Sequence, residues 1–190
     1  MLSFSSPLKR QAQALYVAIV AQARQPFLYR DFGIADTLDG RFDAIILHMF
    51  PVIRRLKRTP EARMLSLARL LQEAFIADMD RSLREMGVGD TGVGHRIKKM
   101  GGALGGRLRA YESAVNDVAA MREALVRNVY RGVPDTRVSA LAAYVAECIA
   151  GLDRQAVADI ASGEPCFVQA NAASGGTCSG DVASSASVAP

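Results

Sequence analysis

The chain has 190 residues, 50% of them apolar and 22% charged, with a net charge of +4. That profile fits one ordinary soluble domain with a real core, and no stretch approaches the ~20 apolar residues of a membrane span. The modest positive charge permits attraction to ribosomal RNA or anionic lipid without establishing it.

Ala, Leu, Arg and Met are plentiful, Trp is absent and the apolar periodicity is helical nearly throughout. The expectation is therefore an all-α fold, a single globular domain of six to seven helices over residues 1–168. The first helix spans Leu8–Arg24. Lys9 and Arg10 ahead of "AQALYVAIVAQA" mimic a secretion signal, but Gln11, Gln13 and Gln22 interrupt the apolar run. Ala14, Leu15, Ala18 and Ile19 fall at helical spacing, so the segment reads as an amphipathic, surface-packed helix. Pro26 breaks it, and "FLYRDFGIADTLDG" reads as a structured connection, with a turn capped by Asp36 or Thr37 and another at Asp39-Gly40.

The second helix covers Arg41–Arg58. Phe42, Ile45, Ile46, Met49, Val52, Ile53 and Leu56 form one apolar stripe, and Pro51 predicts a kink near His48. The third starts at Thr59-Pro60-Glu61, with Thr59 as N-cap, and stops at Gly87, a residue suited to the left-handed position after a helix. The fourth starts at Thr91 or Gly92. Gly101-Gly102 and Gly105-Gly106 weaken it, so either close helix packing or a break is expected there. Two more helices, Asn116–Arg131 and Asp135–Leu152, flank "GVP", and a short last one runs over Asp153–Ala161. From Gln169 the composition turns small and polar without periodicity, which reads as a disordered tail over 169–190. Cys148, Cys166 and Cys178 are odd in number and show no C-x-x-C spacing. That argues against a disulfide framework or zinc site and suits a reducing cytoplasm.

The stretch "DMDRSLREMGVGDTGVGHRIKKM" (Asp78–Met100) concentrates the candidate chemistry. Gly87, Gly89 and Gly92 spell G-x-G-x-x-G, but a helix precedes them where a dinucleotide site needs a strand, so a tight interhelical turn is the better reading. A metal or acid–base site would draw on His48, Asp78, Asp80, Glu85 and His95. No E-x-x-H or H-x-x-x-H spacing occurs, and no Ser/His/Asp or Cys nucleophile pattern stands out. Asp78 falls within the apolar stripe, three residues before Arg81, and Asp80 and Arg84 are four apart. These pairs read either as solvated ladders or as a helix seam or partner groove at Asp78 and Arg81. Arg54, Arg55, Lys57 and Arg58, and Arg96, Lys98, Lys99, Arg107 and Arg109, form basic strips without interleaved aromatics, so single-strand stacking is unsupported and no DNA partner is expected.

Two long strings, "GIADTLDGRFDAIILHMFPVIRRL" (Gly33–Leu56) and "LLQEAFIADMDRSLREMGVGDTGVGHRIKKM" (Leu70–Met100), resemble the ubiquinol–cytochrome c chaperone family. The resemblance extends more thinly through "ALVRNVYRG" and "SGEPCF". It implies an assembly factor, not an enzyme, with no cofactor, that binds newly made cytochrome b before the cytochrome bc complex is assembled. It implies a cytoplasmic place, peripheral to the inner membrane, with the ribosome, the membrane surface and a small partner protein as further contacts. The N-terminus shows no transit peptide, so a bacterial member is expected. The family pattern falls on Asp36, Asp39, Gly40, Arg41, Phe42, His48, Asp78, Asp80, Arg81, Arg84, Glu85, Gly87, Gly89, Asp90, Gly94 and Lys98, and all of these but Gly40, Phe42, Glu85 and Gly94 are expected to bind client or partner. It further implies that the Asp36–Arg41 loop and the Gly87–Gly94 turn together frame the working surface. Family members carry an aromatic stretch before Gly-Arg, whereas "GGALGGRLRAYE" keeps Gly106-Arg107 and lacks those aromatics. The alternatives are a helical enzyme or an anion- or metal-binding protein using the Gly87–His95 turn, and a peripheral ribosome or membrane adaptor using the basic strips.

Overall fold

The computed structural model describes residues 6–169. Among them are eight helices and no strand: α1 (Pro7–Ala23), α2 (Pro26–Arg30), α3 (Leu38–Lys57), α4 (Ala62–Glu85), α5 (Asp90–Ala114), α6 (Val118–Asn128), α7 (Val138–Arg154) and α8 (Val157–Ser162). The expected tail, apart from Gln169, lies outside the described residues.

The helix ends follow local chemistry. Ser6 caps α1 through Lys9 N, and Pro7 occupies its first turn. Pro26 opens α2 instead of merely breaking the chain, because its fixed φ suits a first helical position. Thr37 caps α3 by accepting from Gly40 N at 3.1 Å, so Asp39-Gly40 is the first turn of α3, not a separate turn. Gly40 is required there: a Cβ on it would stand 1.8 Å from the Ala35 carbonyl oxygen. Thr59 does not cap α4. Its hydroxyl turns back into α3, donating to the Arg55 carbonyl (3.2 Å) and accepting from Arg55 Nη1 (3.0 Å).

α4 ends as the sequence predicts, with Gly87 at φ +78°. Gly87 N donates to Arg84 O and Val88 N to Leu83 O, the paired bonds of a Schellman ending. α5 runs unbroken through Gly101, Gly102, Gly105 and Gly106. Gly102 and Gly106 face open space, and a Cβ on Gly101 would reach only the end of Ile76, so close helix packing does not explain them. The helix is held instead by the buried Val93, Leu104, Tyr111 and Ala114 and by its contacts with α3, α4 and α6.

α3 is the hub. It packs against α1, α4, α5, α7 and α8. Every residue from Phe42 to Ile53 is buried, so the single stripe expected from the sequence becomes a helix buried all round, continuous through Pro51. Two ionisable groups go inside with it, Asp43 and His48.

His48 is fully satisfied in the core. Its Nδ1 lies 2.7 Å from the Ala44 carbonyl, which can only accept, so Nδ1 carries the proton. Its Nε2 then accepts from the Tyr144 hydroxyl at 2.8 Å, and that hydroxyl accepts from Gln22 Nε2 at 3.0 Å. Gln22 also donates to Val168 O, and Phe167 sets its ring edge-on to His48, so the segment after α8 closes over the network. Cys148 is a free, buried thiol beside Tyr144. Cys166 is disulfide-bonded, against the expectation from the cysteine count.

Burial holds His48 neutral and lowers its pKa to about 4 from 6.5. The unfolded chain takes up a proton below pH 6.5 and the folded chain does not until about pH 4, so this contribution is lost as pH falls through that window. Urea unfolding at pH 7 and pH 5 checks it. The wild type should lose about 2 kcal/mol more between those values than His48→Gln, which has no proton to take up.

Candidate functional site

Asp43 lies on the second turn of α3 with its side chain 0% exposed. A bare carboxylate there would be prohibitive, and two guanidiniums meet it. Arg107 of α5 brings Nη2 to 2.7 Å from Oδ1, and Arg131 brings Nη2 to 2.8 Å from Oδ2. Burial nonetheless pushes the Asp43 carboxyl up to about 6, against the opposite pull of both arginines. Arg107 is itself only 12% exposed and stands 5.3 Å above the Phe42 ring, a cation–π contact within the same cluster.

Arg131 reaches Asp43 by an uncommon backbone. Its φ is +58°, the single positive value for a non-glycine among the described residues, and Gly132 follows at +82°. Such a residue costs of order 1–3 kcal/mol unless its surroundings hold it. Here the Tyr130 hydroxyl bonds the Phe32 carbonyl on one side, Gly132 N bonds Val126 O on the other, and the Asp43 pair holds the guanidinium.

Outward of this triad lies an open groove of about 370 Å³ between α3, α4 and α5. Its apolar floor is Leu38, Phe42, Leu83, Met100 and Ala103. Its polar wall carries Arg96, Lys99, Arg107 and Arg131 with a single bordering acid, Asp39, which stands 3.6 Å from Arg131. Phe42 and Leu83 are nearly covered, whereas Leu38 is 53% exposed at the mouth. Apolar floor and cationic wall together can take an amphipathic segment.

Of the twelve residues expected to bind client or partner, only Asp39 lines this groove, together with Phe42 of the α3 stripe and Arg96, Lys99 and Arg107 of the basic strip. Asp36 and Arg41 form an exposed ion pair (2.7 Å) and border a separate depression of about 740 Å³ with Arg24, Pro26, Tyr29 and Arg30. Leu38 and Asp39 share the groove's lining with Leu83 and Arg96, which bracket the glycine turn, but Gly87–Gly94 themselves do not line the groove. Asp78 stands at the α1–α4 seam, accepting from the Tyr16 hydroxyl at 2.7 Å and pairing with Arg81. Arg84 links Asp80 at 2.7 Å to Asp90, stapling the end of α4 to the start of α5 across Gly87 and Gly89. His48 is in the core and presents no surface. Lys98 is exposed on α5. Among the described residues no three His, Cys, Asp or Glu side chains are grouped to hold a metal ion, and no helix is long and apolar enough to cross a membrane.

The ubiquinol-cytochrome C chaperone family profile matches residues 30–168. The chain belongs to that family. The match takes in the whole groove, from Leu38 to Arg131. Among solved structures, the crystal structure of the Cbp3 homolog from Brucella abortus is similar, with a TM-score of 0.76 and 33% identity over 85% of this chain and 90% of that one. No curated protein matches.

The triad separates structural charge from surface charge. Asp43→Ala leaves two guanidiniums against a buried face and should cost about 3–5 kcal/mol. Asp80→Ala removes only exposed pairing and should cost under about 1 kcal/mol. Urea unfolding of both variants checks the contrast. Equal losses would contradict it.

Proposed function

We propose that this chain is an assembly chaperone that binds newly made cytochrome b, keeping it competent for incorporation into the ubiquinol–cytochrome c reductase complex. It works without a cofactor, on the cytoplasmic side at the periphery of the inner membrane. Family membership supports the assembly role, and the likeness to the Brucella Cbp3 homolog agrees with it. The observation that carries the reading is the groove. An apolar floor beside a cationic wall suits holding a segment of another protein, and Met100 on that floor adapts to varied side chains. No catalytic step is assigned to it.

On this reading the Asp80–Arg84–Asp90 staple and the Asp78–Arg81–Tyr16 seam are the frame that sets α4 and α5 at the groove's edge. They serve the client indirectly, by fixing where Leu83 and Arg96 stand.

A strain lacking the gene tests the proposal. Reduced-minus-oxidised spectra and immunoblots should show cytochrome b lost, with other cytochromes intact, and plasmid-borne wild type should restore it. Unchanged cytochrome b would contradict the proposed client.

A further inference from the structure

The groove's charges are unevenly matched. Asp43 and Asp39 both turn to Arg131, and Asp43 also holds Arg107. Arg96 and Lys99, one turn apart on the same face of α5, have no anionic partner among the described residues. Both are exposed and stand over the apolar floor set by Met100, Ala103 and Leu83. Two unpaired cations at the outer end and a half-exposed guanidinium at the inner end mark a site that lacks negative charge.

Dimensions narrow the occupant. Arg96 and Arg107 are eleven residues apart on α5, roughly 16 Å at helical rise. That span matches about three turns of a helix lying alongside. The volume of about 370 Å³ accommodates a few large side chains and is too small for the paired acyl chains of a phospholipid.

We propose that the groove selects an acidic amphipathic protein segment: large apolar side chains on the face that meets Phe42, Leu83 and Met100, and a carboxylate at the flank that meets Arg96 and Lys99. This rests on the groove being the client surface and adds the chemistry of what is held. The cations supply selectivity and capture rate, and the floor supplies the burial. A segment with basic flanks is rejected, since it would bring like charges against an unpaired pair.

The test uses the full chain and a fluorescein-labelled amphipathic peptide of about three helical turns, with Leu on one face and Glu on its flanks. Comparison probes are the same peptide with Gln for Glu, the same with Lys for Glu, and phosphatidylglycerol–phosphatidylcholine vesicles. In anisotropy titrations the Glu peptide should bind about tenfold more tightly than the Gln peptide at low salt. High salt should largely erase the gap. The double variant Arg96→Glu, Lys99→Glu, both exposed positions, should reverse the preference towards the Lys peptide while keeping the wild-type circular dichroism spectrum. Equal binding of Glu and Gln peptides would overturn the proposal, as would binding of the vesicles in preference to every peptide. If the strain lacking the gene keeps its cytochrome b while the charge reversal holds, the client assignment fails and the acidic specificity stands. If cytochrome b is lost but the peptides are not discriminated, the specificity fails and the client assignment stands.

Discussion

A carboxylate without access to water organises this molecule. Asp43 sits on the helix around which the others pack, and it is tolerable there because α5 and the turn after α6 each deliver a guanidinium. That demand fixes the rotation of α5 about its axis and holds Arg131 in a left-handed backbone it would not otherwise adopt. The groove is the outer side of the same arrangement: Phe42 precedes Asp43 in sequence, and Arg107 and Arg131 form both the inner wall and the buried pair. A hydrophobic substitute for the triad would fill the space and remove the wall.

His48 makes a second, chemically opposite anchor on the same helix. It lies five residues on, about 140° around at 100° per residue, and so faces α7 and the segment ending at Val168 while Asp43 faces α5. One centre is charged and paired, the other neutral and hydrogen-bonded. Together they fix α3 in azimuth and leave few ways for an apolar helix to slide or rotate among its neighbours.

Much of the architecture was legible in the sequence. The all-helical fold, the end of α4 at Gly87 and the absence of a strand before the glycine motif followed from periodicity and from the one residue that adopts φ +78° at no steric cost. The site was less so. An acid at position 43, inside an otherwise apolar run, signals a buried pair, but nothing local says that residues 64 and 88 positions away supply the partners. Arg131 is harder still, since its role depends on a backbone state rarely taken by non-glycine residues. The dense charges of Asp78–Asp90 stand out in the sequence because they are close along the chain. In three dimensions they bond to one another and to Tyr16, because neighbours on a helix surface satisfy each other first. Thr59 does not cap α4 for a related reason: its hydroxyl has a competing partner in the preceding helix.

On the proposed function, the groove between α3, α4 and α5 is where cytochrome b is held. Site-specific photocrosslinking in cells making cytochrome b tests it most directly, with a photoreactive phenylalanine analogue placed at Met100 in the groove or at Leu65, an exposed apolar position outside it. The account predicts a cytochrome b adduct from position 100 and none from position 65. An adduct from position 65 alone, or equal adducts from both, would contradict it.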